Sequence, residues 1–119
     1  RINSLMRKDS LDLTDDDRSL IAKTVDSDPC PRILITHGTD TMVETAKTLR
    51  GVSDKTIVLT GALEPALFKT SDAVFNIGCA IGAVQVLPPG VYIAMNGRIF
   101  SEGKVWKNEA MKRFEDLED

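Results

Sequence analysis

The stretch ILITHGTDTMVETAKTL, Ile33 to Leu49, is a strand that runs straight into a helix. RILIT is a short apolar run of the kind found in buried parallel strands. From Thr41 onward the spacing turns helical, with Met42, Thr45/Ala46 and Leu49 on one face. Thr41-x-x-Glu44 fits a capping box, in which a hydroxyl and a carboxylate satisfy free N–H groups of the first turn. Thr41 is therefore expected to be an N-cap, which leaves Thr36, His37, Gly38, Thr39 and Asp40 between the two elements. Asp40 suits a turn, but Thr39 and Asp40 together exceed what one helix start requires. His37 lies in a tight glycine-containing turn, so a structural hydrogen bond is favoured over a role as base in a Ser-His-Asp triad.

The pattern continues on both sides. Thr14 followed by DDDR reads as a helix start, with a hydroxyl cap and acidic residues in the first turn. Leu20, Ile21 and Val25 give it a modest apolar face, and SDPCP ends it. KTIVLTGA, Lys55 to Ala62, is the next strand. SDAVFNIGCAIGAVQVL can be a helix opened by Ser71 and Asp72, its small residues suited to close packing on a sheet. GVYIAMNG, Gly90 to Gly97, is a further strand, with RIF continuing its extended path. Strand–helix–strand–helix–strand is solved most naturally by a parallel sheet with right-handed crossovers. The expected fold is α/β and three-layered, a mostly parallel sheet flanked by helices, Rossmann-like or flavodoxin-like. Ligands bind at the carboxyl ends of such strands, and those ends carry THGTDT, TGALEP and MNGRIF.

Length and composition narrow the classes. A chain of 119 residues fits one domain with a single core. A net charge of -3 argues against a dedicated nucleic-acid surface, and no apolar run approaches the roughly 20 residues that span a bilayer. No secretory leader is expected. Cys30 and Cys79 have no metal-ligand spacing and there is one histidine, so no metal and no cofactor are expected. Cys30 is expected in a turn, Cys79 in the core, and the chain in a reducing cytoplasm. The glycines fit neither GxGxxG nor GxxxxGK[ST], which leaves a nucleotide-binding domain as the weakest reading. The opening RINSLMRKDSLDLTDDDR reads as the middle of a protein, with residues expected upstream.

ITHGTDTMVETAKTL resembles the second signature of the bacterial-type L-asparaginase family, which reads roughly THGTDT followed by a helix. TIVLTGALEP is similar to the family's VLTGAMRP strand and turn, with Leu63 and Glu64 in place of Met and Arg. SDAVFNIGCAIGAV resembles its SDGPxNLxxAV helix, GVYIAMNGRIF its GVxVxMNGxI strand, and KDSLDLTDDDR its S-x-D-[ML]-T segment. The resemblance covers nearly the whole chain and is closest to short, single-domain asparaginase-like proteins.

It implies an N-terminal-type asparaginase domain over residues 1–119 whose catalytic group is Thr39, Asp40 and Lys107. Lys107 takes the place of the lysine some ten residues beyond the MNG turn. Ser10 would bind the α-carboxylate of a small amino-acid substrate such as L-asparagine, and Asp40 its α-ammonium. Gly38, Thr39 and Ala62 would lie beside the scissile amide. The implied activity is hydrolysis of L-asparagine to L-aspartate and ammonia. A threonine hydroxyl needs an adjacent base, and a lysine serves only when neutral, against an ordinary value of about 10.4. Backbone N–H groups at a helix N-terminus could stabilise the oxyanion.

The sequence also departs from the family. It contains no TGGT segment, which carries the acyl-forming threonine, and its single tyrosine, Tyr92, lies inside a strand. The domain is therefore expected to lack its first strand, and this chain alone to have very low or no activity. The alternative is a non-catalytic module that binds an amino acid or acts through its surface. Unpaired sheet edges invite cover, so a homodimer or larger assembly is expected.

Overall fold

The computed structural model describes residues 10–63 and 71–117, and of Ser10 only the backbone. A 3-10 turn, Ser10–Asp12, leads into α1 (Asp15–Ser27), followed by β1 (Arg32–Thr36) and α2 (Met42–Thr48), which tightens into a second 3-10 turn. β2 (Thr56–Thr60), α3 (Ala73–Val86) and β3 (Gly90–Met95) follow, then β4 (Arg98–Ser101), β5 (Val105–Asn108) and β6 (Arg113–Asp116).

The helix starts do not use the same chemistry. At α1 the Thr14 hydroxyl accepts from the Asp17 N–H at 3.1 Å, and the Asp17 carboxylate accepts from the Thr14 N–H at 3.0 Å. That is a complete capping box. Thr41 stands at the N-cap of α2 without a side-chain capping bond, so the box expected with Glu44 is not formed. Its backbone, at φ -124° and ψ 23°, is not in the extended conformation that aims a capping hydroxyl at the first turn. On α1 the buried residues are Arg18, Ile21 and Val25. Leu20, expected on that face, is exposed because it lies about 100° around the helix from Ile21.

β1, β2 and β3 are parallel neighbours in that order, with Ile33 beside Ile57 and Val58 beside Tyr92. β2 is buried throughout, as its unbroken TIVLT run predicts. The RIF segment does not continue β3. Asn96 and Gly97, both at positive φ (55° and 78°), form a two-residue turn, and β4 returns antiparallel with Arg98 opposite Met95. Paired positive φ values are the geometry that matches strand twist in a tight hairpin. β5 and β6 form a second, two-stranded antiparallel sheet.

The sheet's two faces follow from strand alternation. Ile57, Leu59, Ile93 and Met95 pack with Ile21 and Val25 of α1, Met42, Ala46 and Leu49 of α2, and Val105 and Phe114 of the hairpin. Val58 and Ala94 point the other way, onto Ala80 of α3, with Leu34 and Tyr92 alongside. Thus α2 and α3 cover opposite faces. With strands in the order β1-β2-β3, two crossovers of the same hand would place both helices on one face. One of the two is therefore left-handed, which corrects the expectation of right-handed crossovers throughout. Two right-handed crossovers would have left one face of the buried β2 without helical cover. Among the described residues no helix is long and apolar enough to cross a membrane.

Candidate functional site

The backbone comes first. The His37 N–H donates to the Thr60 carbonyl at 2.9 Å, so the β1–β2 ladder runs on past the last strand residue. A Cβ on Gly61 would lie 2.1 Å from the His37 carbonyl oxygen, which closes that position to every residue but glycine. The loops that carry Gly38 and Thr39 on one side and Ala62 on the other therefore leave the sheet from touching backbones.

Asn76, fully buried on α3, ties the next pair of strand ends together. Its amide nitrogen donates to the Gly61 carbonyl and to Asp72, each at 2.9 Å, and its oxygen accepts from the Asn96 N–H at 2.9 Å. Asp72 in turn accepts from the Leu63 N–H at 3.1 Å. The sequence reading passed over Asn76. Its signal was a lone amide in the apolar run AVFNIGCAIGAV, since a buried polar group is retained where it is hydrogen-bonded.

His37 is held at both ring nitrogens. Nδ1 lies 2.5 Å from the Gly38 carbonyl oxygen and Nε2 2.7 Å from the Thr45 hydroxyl. A carbonyl can only accept, so Nδ1 carries the proton and, in the neutral ring, Nε2 accepts from Thr45. Burial pushes the imidazole below its ordinary 6.5; the Gly38 bond opposes this, the nearby Arg18 charge adds to it, and Glu44 opposes it. His37 braces the turn from behind.

Thr39, Asp40 and Lys107 meet. The Lys107 ammonium donates to the Thr39 hydroxyl at 2.9 Å and to an Asp40 carboxylate oxygen at 2.8 Å. Thr39 is buried, Asp40 is on the rim, and the Lys107 side chain is only 11% exposed. Strand alternation on β5 explains the aim: Val105 is sunk in the main core, and Lys107, two residues on, shares its side of the strand. Phe114, the cross-strand partner of Lys107, anchors the other strand in that core. Glu109, absent from the sequence reading, lies 3.6 Å from the ammonium at the exposed edge.

Ser10 belongs to the turn before α1, and its side chain lies outside the described residues, as does Glu64. Gly38 is exposed and Ala62 half-buried. Among the described residues no group of three or more His, Cys, Asp or Glu could hold a metal ion. Cys30 is exposed in its turn, its N–H donating to Asp28 at 2.8 Å. Cys79 is half-buried on α3 and not a core residue as expected, because the core side of that helix is taken by Asn76, Ala80 and Ala83.

The family described as Asparaginase, N-terminal, matches residues 1–115. The glutaminase-asparaginase of Pseudomonas aeruginosa is 40% identical over 86 residues, 68% of this chain and 24% of that protein. L-asparaginase 2 of Escherichia coli is 33% identical over 105 residues, 82% of this chain and 30% of that protein. The thermostable L-asparaginase from Thermococcus kodakarensis superimposes with a TM-score of 0.85 at 28% identity, over 94% of this chain and 36% of that one. The chain thus spans about a quarter to a third of the length of these relatives.

Proposed function

The chain belongs to the asparaginase family, and from that premise we propose that it supplies the proton-handling half of an amide hydrolase acting on L-asparagine. What supports the reading is the double contact of Lys107, at 2.9 Å from Thr39 and 2.8 Å from Asp40. In this reading a threonine of a TGGT-type segment, outside this sequence, adds through its hydroxyl to the side-chain amide carbon. The C–N bond breaks and the amide nitrogen leaves as ammonia, taking up the hydroxyl proton. Water then cleaves the ester to give L-aspartate and frees the threonine. Thr39 and Lys107 relay the protons of these two steps. Asp40 orients Lys107 in the empty site and turns to the substrate's α-ammonium in the filled one, with Ser10 on the α-carboxylate. Gly38, Thr39 and Ala62 line the amide. No cofactor is required, and the cytoplasm is the proposed compartment.

Two measurements test this. Calorimetry with L-aspartate should show binding to this chain, weakened by Asp40→Asn. Ammonia release from L-asparagine should be near background for this chain and appear when a TGGT-bearing segment is joined upstream. Full turnover by the bare 119-residue chain would overturn the assignment of the nucleophile. A chain that neither binds L-aspartate nor turns over L-asparagine when so extended would overturn the reading itself.

A further inference from the structure

Arg18 is 8% exposed, and α1 buries it in line with Ile21 and Val25. An arginine is almost never buried this far without acceptors for its N–H groups. Here Nη1 donates to Asp15 at 3.0 Å. Nε is the one buried side-chain polar atom among the described residues with no hydrogen-bond partner. No acceptor among the described residues engages Nη2 either. The Asp15 carboxylate is fully exposed, and an ion pair with an exposed partner contributes little. It does not account for a guanidinium taken out of water. Nor does the aliphatic stem, which ordinarily lies on apolar surface and leaves its head group wet.

The unpartnered edge lies at the ligand-binding end of the sheet. The Asp28 carbonyl, just after α1, accepts from Lys55, which precedes β2, so α1 ends at the amino edge of the strands. Over its 13 residues α1 rises about 20 Å, and a five-residue strand about 17 Å. The first turn of α1 is therefore level with the carboxyl ends, where such sheets take their ligands. Side chains on a helix lean towards its N-terminus, as the bond from Arg18 back to Asp15 shows. The Arg18 charge reaches His37, whose ring holds the Gly38 carbonyl of the THGTDT turn. Lys107 meets that turn from β5, and Arg18 approaches it from α1.

We propose that the Nε–Nη2 edge of Arg18 binds the carboxylate of a small amino acid. Two parallel N–H groups on one edge of a guanidinium match the two oxygens of one carboxylate. With Nη1 held by Asp15, this is the edge that remains. Asp15, Asp16 and Asp17 in the first turn repel a multiply charged anion. A zwitterion with one carboxylate therefore suits the place better than phosphate. The choice of an amino acid rests on the amide-hydrolase reading; the open edge does not.

His37 is the only histidine in the sequence, so its ring proton reports on Arg18 without further assignment. In proton NMR titrations of the 119-residue chain, saturating L-asparagine should raise the His37 midpoint, because a bound carboxylate offsets the Arg18 charge that lowers it. The Arg18 Nε–H resonance should shift along the same saturation curve. In Arg18→Gln the midpoint should be higher without ligand, and L-asparagine should no longer move it. Its affinity by calorimetry should fall about tenfold or more, the scale of lost bonds to a charged group. Arg18→Lys keeps the charge without the fork, so the midpoint should stay low while binding weakens as in Arg18→Gln. The Nε–H measurement needs no substitution and decides the matter if the variants fail to fold. A His37 rise that persists in Arg18→Gln, or an Nε–H resonance unmoved while L-asparagine binds, overturns the proposal and leaves the amide-hydrolase reading standing. Inorganic phosphate that shifts Nε–H as strongly as L-asparagine overturns the amino-acid assignment. If acetate shifts it and L-asparagine does not, the edge is a carboxylate site and the amide-hydrolase reading is what fails. A resonance that neither moves overturns the proposal outright.

Discussion

The two faces of the four-stranded sheet are covered in different ways. On one, large side chains such as Leu59, Met95 and Phe100 meet two helices and a hairpin, and three segments far apart in sequence converge. On the other, a single helix sets Ala80 against Val58 and Ala94 of the sheet, and small side chains bring it close. The polar group of Thr39, Asp40 and Lys107 belongs to the first arrangement, because only there does a late segment, β5–β6, fold back over the strand ends. The second face holds the strand ends in place through one buried amide, Asn76, and contributes no group to the Lys107 cluster. Position and chemistry are thus supplied from opposite sides of the same sheet.

The sharpest break in that division is Lys107→Met. In the longest form of the protein that releases ammonia from L-asparagine, turnover should fall about 10²- to 10⁴-fold, the range of a lost proton-transfer group. The melting temperature should stay near the parent's. A variant that melts as steeply as it loses activity would make Lys107 a strut for the hairpin. Next in size is the contrast between Leu59→Ala and Val58→Ala, neighbours on β2 that point to opposite faces. Urea unfolding should show about 3 kcal/mol lost for the first and clearly less for the second, since the cost follows the side chain removed and the cavity left. Equal losses would mean that the two faces do not differ as described.

Asn76→Ala tests the link between the faces. It leaves the Gly61 carbonyl and the Asn96 N–H without their partner, at a cost of about 2 kcal/mol. Because both belong to strand ends, L-aspartate affinity should fall with stability. An unchanged affinity would detach α3 from the site. The smallest effect concerns His37. Its folded value lies below the ordinary 6.5, so the unfolded chain takes up the proton first and stability declines as pH falls from 6.5 towards the folded value. Well above 6.5, where both states are neutral, the contribution vanishes. Thermal melts between pH 7.5 and 5 should show the decline, and His37→Gln should flatten part of it.

Much of this could be read from residues alone, for identifiable reasons. β1, α2, β2, α3 and β3 announce themselves because apolar periodicity changes from run to helix and back. The hairpin to β4 was equally available in Asn96-Gly97, the residue pair that favours two positive φ values, yet the apolar RIF beyond it reads as extension of the same strand. β5 and β6, VWKN and RFED, are short and mixed in polarity, and neither periodicity stands out. The hand of the crossovers is not a local property: it depends on which face each helix packs against. The site divides the same way. Thr39 and Asp40 stand out as surplus to helix capping. Lys107, 67 residues from Asp40, is one lysine among several in a polar stretch, and only the family resemblance singled it out. Asn76 required knowing that its side of α3 faces the strand ends.

The separate sheet formed by β5 and β6 has a dynamic consequence. Lys107 is carried on a two-stranded unit held to the body through Val105 and Phe114, while Thr39 and Asp40 are carried by the parallel sheet. Sub-global opening of such a unit costs less free energy than global unfolding. Amide hydrogen exchange should therefore be faster across Val105–Asn108 than across Thr56–Thr60. On warming, the ammonium would leave Thr39 and Asp40 while the parallel strands were still paired, and under the proposed function proton transfer would stop before the protein melted.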